Sequence, residues 1–154
     1  MAQADNVISD FLNADHRRLD AIWVECREAI AAGDTDTLRA CFAQFASGLR
    51  RHIVWEDTIL FPAFEEQTGM RDSGPTAVMR SEHREIEGFL ERIERLAASG
   101  AADRLKGEGA PLQAGLSDVL HAHNVKEENI LYPMSDQMMR GEKAAALVAR
   151  MKAL

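Results

Sequence analysis

The sequence predicts an all-α protein, an up-down four-helix bundle made of two similar helical hairpins, with a short C-terminal helix. Apolar residues recur at steps of three and four along four segments, with no convincing alternation of period two. Glycine, aspartate and proline punctuate these stripes at three places. The third observation is an internal repeat. RHIVWEDTILFP (51–62) aligns with AHNVKEENILYP (122–133), sharing His, Val, Glu, Ile, Leu and Pro in register.

The first helix is expected near 5–32, where Leu12, His16, Leu19 and Trp23 share one face. Gly33-Asp34 then supplies a stop followed by a cap. The second helix, near 35–67, carries Leu38, Phe42, Phe45, Leu49, His52, Glu56, Ile59 and Ala63 in one unbroken stripe. A turn from Gly69 ends at Pro75, a residue suited to the first position of a helix. The third helix, near 75–98, presents Met79, His83, Ile86, Leu90 and Ile93. Ser99 to Pro111 reads as a looser linker. The fourth helix, near 111–134, aligns Leu112, Leu116, Leu120, His123, Glu127, Ile130 and Met134. Pro62 and Pro133 hold matching places in the repeat and are expected to bend or end their helices. The tail, about 136–154, reads as a short helix packed on the bundle or on a partner, with Met134, Met138 and Met139 packing between bundle and tail.

A chain of 154 residues can bury roughly two-thirds of its unfolded surface, so an ionisable group in the core needs a physical reason. The net charge of -7, with Lys and Arg scattered among acids, argues against nucleic acid and membrane surfaces as partners. The N-terminus lacks the basic flank and apolar core of a signal peptide, which predicts a cytoplasmic location. Cys26 and Cys41 read as small core residues. They lie about equally far from Gly33, so a redox pair between neighbouring helices is the alternative.

Each stripe is interrupted by histidine, and the spacing brings these interruptions to one height. In an up-down bundle, residues equidistant from a turn are level on neighbouring helices. His16 and His52 flank Gly33-Asp34 symmetrically, Glu56 and His83 flank Gly69, and His83 and His123 flank the long linker. His52 and Glu56, and again His123 and Glu127, lie four apart and therefore on one helix face. One level thus holds four imidazoles and two carboxylates. A buried carboxylate costs several kcal/mol unless paired or bound to metal, and no Lys or Arg stands on these stripes. Imidazole and carboxylate without thiolate suits iron or manganese, and six donors exceed what a four-coordinate zinc needs, so two ions are expected.

Through DHRRLD (15–20), HIVWEDTILFP (52–62), EHREIE (82–87) and HNVKEENILYP (123–133), the chain resembles the hemerythrin-like family of His-His-Glu cation-binding domains. The resemblance covers residues 15 to 133 and implies a single hemerythrin-like domain over 1–154, with its bundle over about 5–134. It also implies a non-haem di-iron centre. His16, His52, His83 and His123 would be terminal ligands and Glu56 and Glu127 bridges, with a bridging oxo or hydroxo ligand and with manganese or zinc as substitutes. Oxygen-carrying members have five histidines and a bridging aspartate on the fourth helix. Here Glu87 stands one turn after His83, and the fourth helix carries Glu127. Four imidazoles, two bidentate bridges and a bridging oxygen leave two positions open on a pair of octahedral ions, or one if Glu87 binds.

The expected function is binding of dioxygen or a related diatomic, for storage or sensing. The alternatives are a di-iron redox enzyme acting on peroxide or nitric oxide, an iron donor for repair, and an iron- or oxygen-responsive regulatory module. The expected partner is thus a small diatomic ligand, and an exposed tail helix would suit a homodimer. Glu87 and Asp20 read as solvated, with Glu87 the stronger candidate for an extra ligand. His121, two residues from His123, points away from it toward the surface. Trp55 and Tyr132 read as packing residues, with a supporting hydrogen bond or redox role as the minority reading.

Overall fold

The computed structural model describes residues 6–154 and is helical, with no strand among the described residues. The start of the expected first helix, at residue 5, lies outside the described residues. α1 (Val7–Ala32) stops where Gly33 adopts φ +66, a left-handed conformation that costs glycine nothing. The Gly33 and Asp34 N–H groups close onto the Ile30 and Ala29 carbonyls. The Asp34 carboxylate then accepts from the Thr37 N–H at 3.0 Å and starts α2 (Thr35–Trp55). This two-residue reversal lays α1 and α2 against each other.

The helix that α2 begins does not end at Pro62. It runs through a π turn (Glu56–Leu60) into α3 (Phe61–Thr68), which ends at Gly69 with φ +72. In the π turn the Phe61 N–H reaches back five residues to the Glu56 carbonyl. Pro62, next in line, has no N–H to offer, and the Arg80 guanidinium donates to the Asp57 carbonyl instead, at 3.1 Å. α4 (Pro75–Ala98) begins on its proline. The second hairpin repeats the device: α5 (Ala102–Lys126), a π turn (Glu127–Leu131), then α6 (Tyr132–Met138), with Pro133 second in α6. The two prolines therefore follow widened turns within continuing helices.

The expected linker from Ser99 to Pro111 is instead helical. α5 starts at Ala102 and carries Pro111 inside it. An interior proline costs about 3 kcal/mol, and the counterweight is tertiary. Leu105 is fully buried, which contributes about 1.5–3 kcal/mol. Gly109 lets the backbone approach α1 so closely that a Cβ there would meet Ile30 Cγ2 at 2.9 Å.

α1 packs on α2 and α5, and α4 on α5 and α2, making a four-membered ring of helices. Two apolar clusters fill it. One, at the Gly33 end, is built on Trp23, Phe42, Phe45, Leu90 and Ile93. The other, at the far end, is built on Leu12, Ile59, Phe61, Leu131 and Tyr132. On every bundle helix a histidine marks the seam between them: His16 between Leu12 and Leu19, His52 between Leu49 and Trp55, His83 between Met79 and Ile86, and His123 between Leu120 and Leu131.

The tail forms α7 (Glu142–Lys152), which buries Ala144, Leu147, Val148 and Met151 against α1 and the first π turn. Met139 is fully buried there. Asp136 reaches across the chain, its carboxylate accepting from the Ile8 and Ser9 N–H groups at 2.9 and 3.2 Å. That supplies the cap that Asn6 does not provide for α1. No helix among the described residues is long and apolar enough to cross a membrane. Cys26 and Cys41 are buried free thiols, and burial with the neighbouring Cys41 pushes the Cys26 thiol up. That makes Cys26 an inert core residue.

Candidate metal centre

Glu56 and Glu127 each open a π turn, four residues after a histidine, and both are fully buried. Around them the histidines form two ring pairs. His16 and His52 have centroids 4.6 Å apart, and His83 and His123 4.8 Å apart. Each carboxylate faces one ring from either pair. Glu127 Oε1 lies 3.3 Å from both His16 Nε2 and His123 Nε2. Glu56 Oε1 lies 3.5 Å from His52 Nε2 and 3.4 Å from His83 Nε2. The six residues named from the sequence thus meet in the seam between the apolar clusters. Two sets present donor atoms within 4.8 Å of one another and can hold a metal ion: Glu56, His83, His123 and Glu127, and His16, His52 and Glu127.

The outer ring nitrogens are held by acids. His52 Nδ1 lies 2.8 Å from Asp15, His83 Nδ1 2.8 Å from Asp57, and His123 Nδ1 2.9 Å from Glu82. Donation of Nδ1–H to a carboxylate leaves the Nε2 lone pair directed inward, the tautomer a metal requires. His16 is the exception, its Nδ1 unbonded and 3.7 Å from Glu128. These acids are legible in the repeat after the fact, since Asp15 aligns with Glu82 and Asp57 with Glu128. Periodicity passes over them because they lie off the apolar stripes. Cations hold them in turn: Arg18 on Asp15, Arg80 near Asp57, and Lys126 on Glu82.

Tyr132 departs most from expectation. It is fully buried, and its hydroxyl sits among the ligand-type atoms: 2.8 Å from Glu56 Oε2, 3.1 Å from Glu127 Oε1, 3.1 Å from His52 Nε2 and 3.3 Å from His16 Nε2. In a regular α-helix, residues five apart point about 140° away from each other. The π turn cancels that rotation and brings Tyr132 into line with Glu127. A regular helical wheel therefore hides the contact. Trp55 packs as expected, against Phe11 and His52. Glu87 does not join the cluster but forms an ion pair with Arg50 at 2.7 Å, and Asp20 and His121 are exposed.

Without a cation the cluster must share protons. Burial and the adjacent Glu127 raise the Glu56 pKa. Glu127, although buried, is held low by its hydrogen bond with Glu56 and by the His123 and His16 rings. Burial opposes charge on His83, yet the Asp57 and Glu56 carboxylates outweigh it and raise its pKa to about 10. Even so, Glu56 Oε1, Glu127 Oε2 and His83 Nε2 make no hydrogen bond although fully enclosed. Buried polar atoms left without partners are costly, and a metal ion that takes the place of the His83 Nε2 proton satisfies all three at once. The donor set of imidazole nitrogen and carboxylate oxygen fits iron.

Comparison with known proteins agrees with this geometry. An uncharacterized hemerythrin-like protein of Schizosaccharomyces pombe is 26% identical over 137 residues, covering 89% of this chain and 63% of that protein. The iron-sulfur cluster repair protein YtfE of Edwardsiella ictaluri is 32% identical over 69% of this chain and 51% of its own length. YtfE of Yersinia pseudotuberculosis is 30% identical over 61% of this chain and 43% of its own length. The chain thus spans less than two-thirds of each of these relatives. No solved structure gives a significant match. The model of the hemerythrin HHE cation-binding domain matches residues 7–135, and the chain belongs to that family.

Proposed function

We propose that this chain, as one hemerythrin-like domain, holds two iron ions through His16, His52, Glu56, His83, His123 and Glu127, and binds dioxygen or a related diatomic there. The observation that carries the reading is that each buried glutamate faces one histidine from either ring pair, the arrangement a bridging carboxylate needs. When bound, the irons supply electrons and open coordination positions for the diatomic. The protein's own part is to orient and to exclude water. Asp15, Asp57 and Glu82 fix three imidazoles with Nε2 inward. The apolar clusters above and below keep bulk solvent away. A surface cleft of about 330 Å3 between α2 and α4, lined by Ile53, Val54 and His83 among others, offers a route in for a small ligand.

Likeness to the two YtfE proteins favours a second reading, in which the centre supplies iron for iron-sulfur cluster repair. Anaerobic loading with ferrous iron, metal counting, and optical spectra through air exposure and deoxygenation separate the two. Reversible spectral change supports diatomic binding. Irreversible oxidation, with iron passing to a cluster-depleted acceptor protein, supports repair. Fewer than about two irons per chain would sink the di-iron assignment common to both.

A further inference from the structure

Tyr132 is the chain's single tyrosine, and its oxygen has no apolar reason to stand in the seam. We propose that Tyr132 is a seventh protein ligand, its phenol oxygen bound to the iron between His16 and His52, a proposal that rests on the two-iron reading above. The distances have the form of a coordination shell. Nitrogen and oxygen donors about 2.1 Å from a first-row metal lie about 3 Å from their neighbours in an octahedron, where every vertex has four such neighbours. The Tyr132 oxygen has four: Glu56 Oε2 at 2.8 Å, Glu127 Oε1 and His52 Nε2 at 3.1 Å, and His16 Nε2 at 3.3 Å.

Hydrogen-bond accounting points the same way. A phenol has one proton to donate. With the His52 Nδ1–H given to Asp15, its Nε2 is an acceptor, and the two carboxylate oxygens are acceptors as well. One hydrogen cannot serve them all, and an oxygen shared with a cation removes the conflict. On binding a ferric ion the O–H bond is exchanged for an O–Fe bond and the proton leaves to solvent, as ligand protons generally do when metals bind.

The repeat makes the consequence one-sided. Phe61 aligns with Tyr132, has no oxygen, and stacks on His83 with ring centroids 5.6 Å apart and planes 10° from parallel. Only the His16/His52 ion gains the extra ligand. Open coordination therefore concentrates on the His83/His123 ion, which is also the side where the cleft between α2 and α4 reaches His83. Two halves that began as copies become one closed ion and one open ion.

The test is resonance Raman spectroscopy on protein loaded anaerobically with ferrous iron, oxidised to the ferric form and excited within its visible absorption. Enhanced tyrosine ring modes that shift when the protein carries ring-deuterated tyrosine are the expected result, and they can come only from Tyr132. Tyr132→Phe should retain about two irons per chain while losing those modes and the part of the visible band that excites them. A wild-type protein with its full iron content and no tyrosine modes overturns the proposal, as does a Tyr132→Phe protein with an unchanged band. The wild-type isotope shift decides the matter even if the variant fails to fold. An iron count below two per chain overturns the underlying reading as well, and is distinguishable because it is measured first.

Discussion

At the scale of single residues, the proposed centre rests on charges held behind the histidine rings. Asp57 fixes the His83 tautomer and adds negative charge behind its ring. Asp57→Asn keeps a polar partner and removes the charge, so metal affinity should fall about 10- to 100-fold, as measured by competition with a chelator. Glu128→Gln should cost less, because Glu128 stands 3.7 Å from His16 Nδ1 without a hydrogen bond. The same acids govern the metal-free protein. His83 has a folded-state pKa of about 10 against an ordinary 6.5. A raised value contributes stability that is fully present below pH 6.5 and is lost as pH climbs through about 10. Denaturant titrations of the metal-free protein should show a decline on the order of several kcal/mol across that window, shrinking in His83→Gln. An equal decline in both proteins would mean that His83 is not the group responsible.

At the scale of elements, the π turns and the buried part of α5 are where local preference and tertiary packing disagree. Pro111 sits exposed inside α5 and denies the Gly107 carbonyl its helical partner. Replacing it by alanine removes that penalty and touches no buried group. Pro111→Ala should therefore stabilise the metal-free protein by about 1–3 kcal/mol and raise its melting temperature by several degrees, as read by circular dichroism. A lowered melting temperature would show that the proline shapes the α4–α5 connection. The π turns answer a different demand. Each inserts a residue just past a buried glutamate, so that the apolar face of α3 or α6 re-enters the core in a new register, and the second one aims Tyr132 at Glu127.

At the scale of the molecule, two apolar clusters are joined across a layer of buried polar groups, several of whose atoms have no hydrogen-bond partner. Metal binding should therefore stabilise the whole bundle, by about 4 kcal/mol when free metal exceeds its dissociation constant a thousandfold. Glu127 belongs to both side-chain sets that can hold a metal ion, so Glu127→Ala should abolish the metal-dependent rise in melting temperature, whereas His121→Ala, at an exposed position, should leave it intact. Loss of the rise in His121→Ala would place the fourth-helix register in error.

Periodicity and the internal repeat were enough to set out the first three bundle helices, the turns at Gly33 and Gly69, and the six residues that meet in the seam. Apolar spacing records which face a helix buries, and equal spacing from a turn records height. The repeat also contained the acids behind the rings, but nothing in a linear pattern distinguishes Asp57 from any solvated carboxylate until α4 is laid beside it. The helical start of α5 was illegible because Gly107, Gly109 and Pro111 all argue locally against helix, and only the contact with Ile30 and the burial of Leu105 overrule them. The position of Tyr132 was illegible for a related reason. A sequence read at 3.6 residues per turn cannot show where a turn widens. The sequence by itself determined which chemistry lies at one level of the bundle. The tertiary structure alone decided which side chains complete it, because one inserted residue in a π turn rotates everything after it.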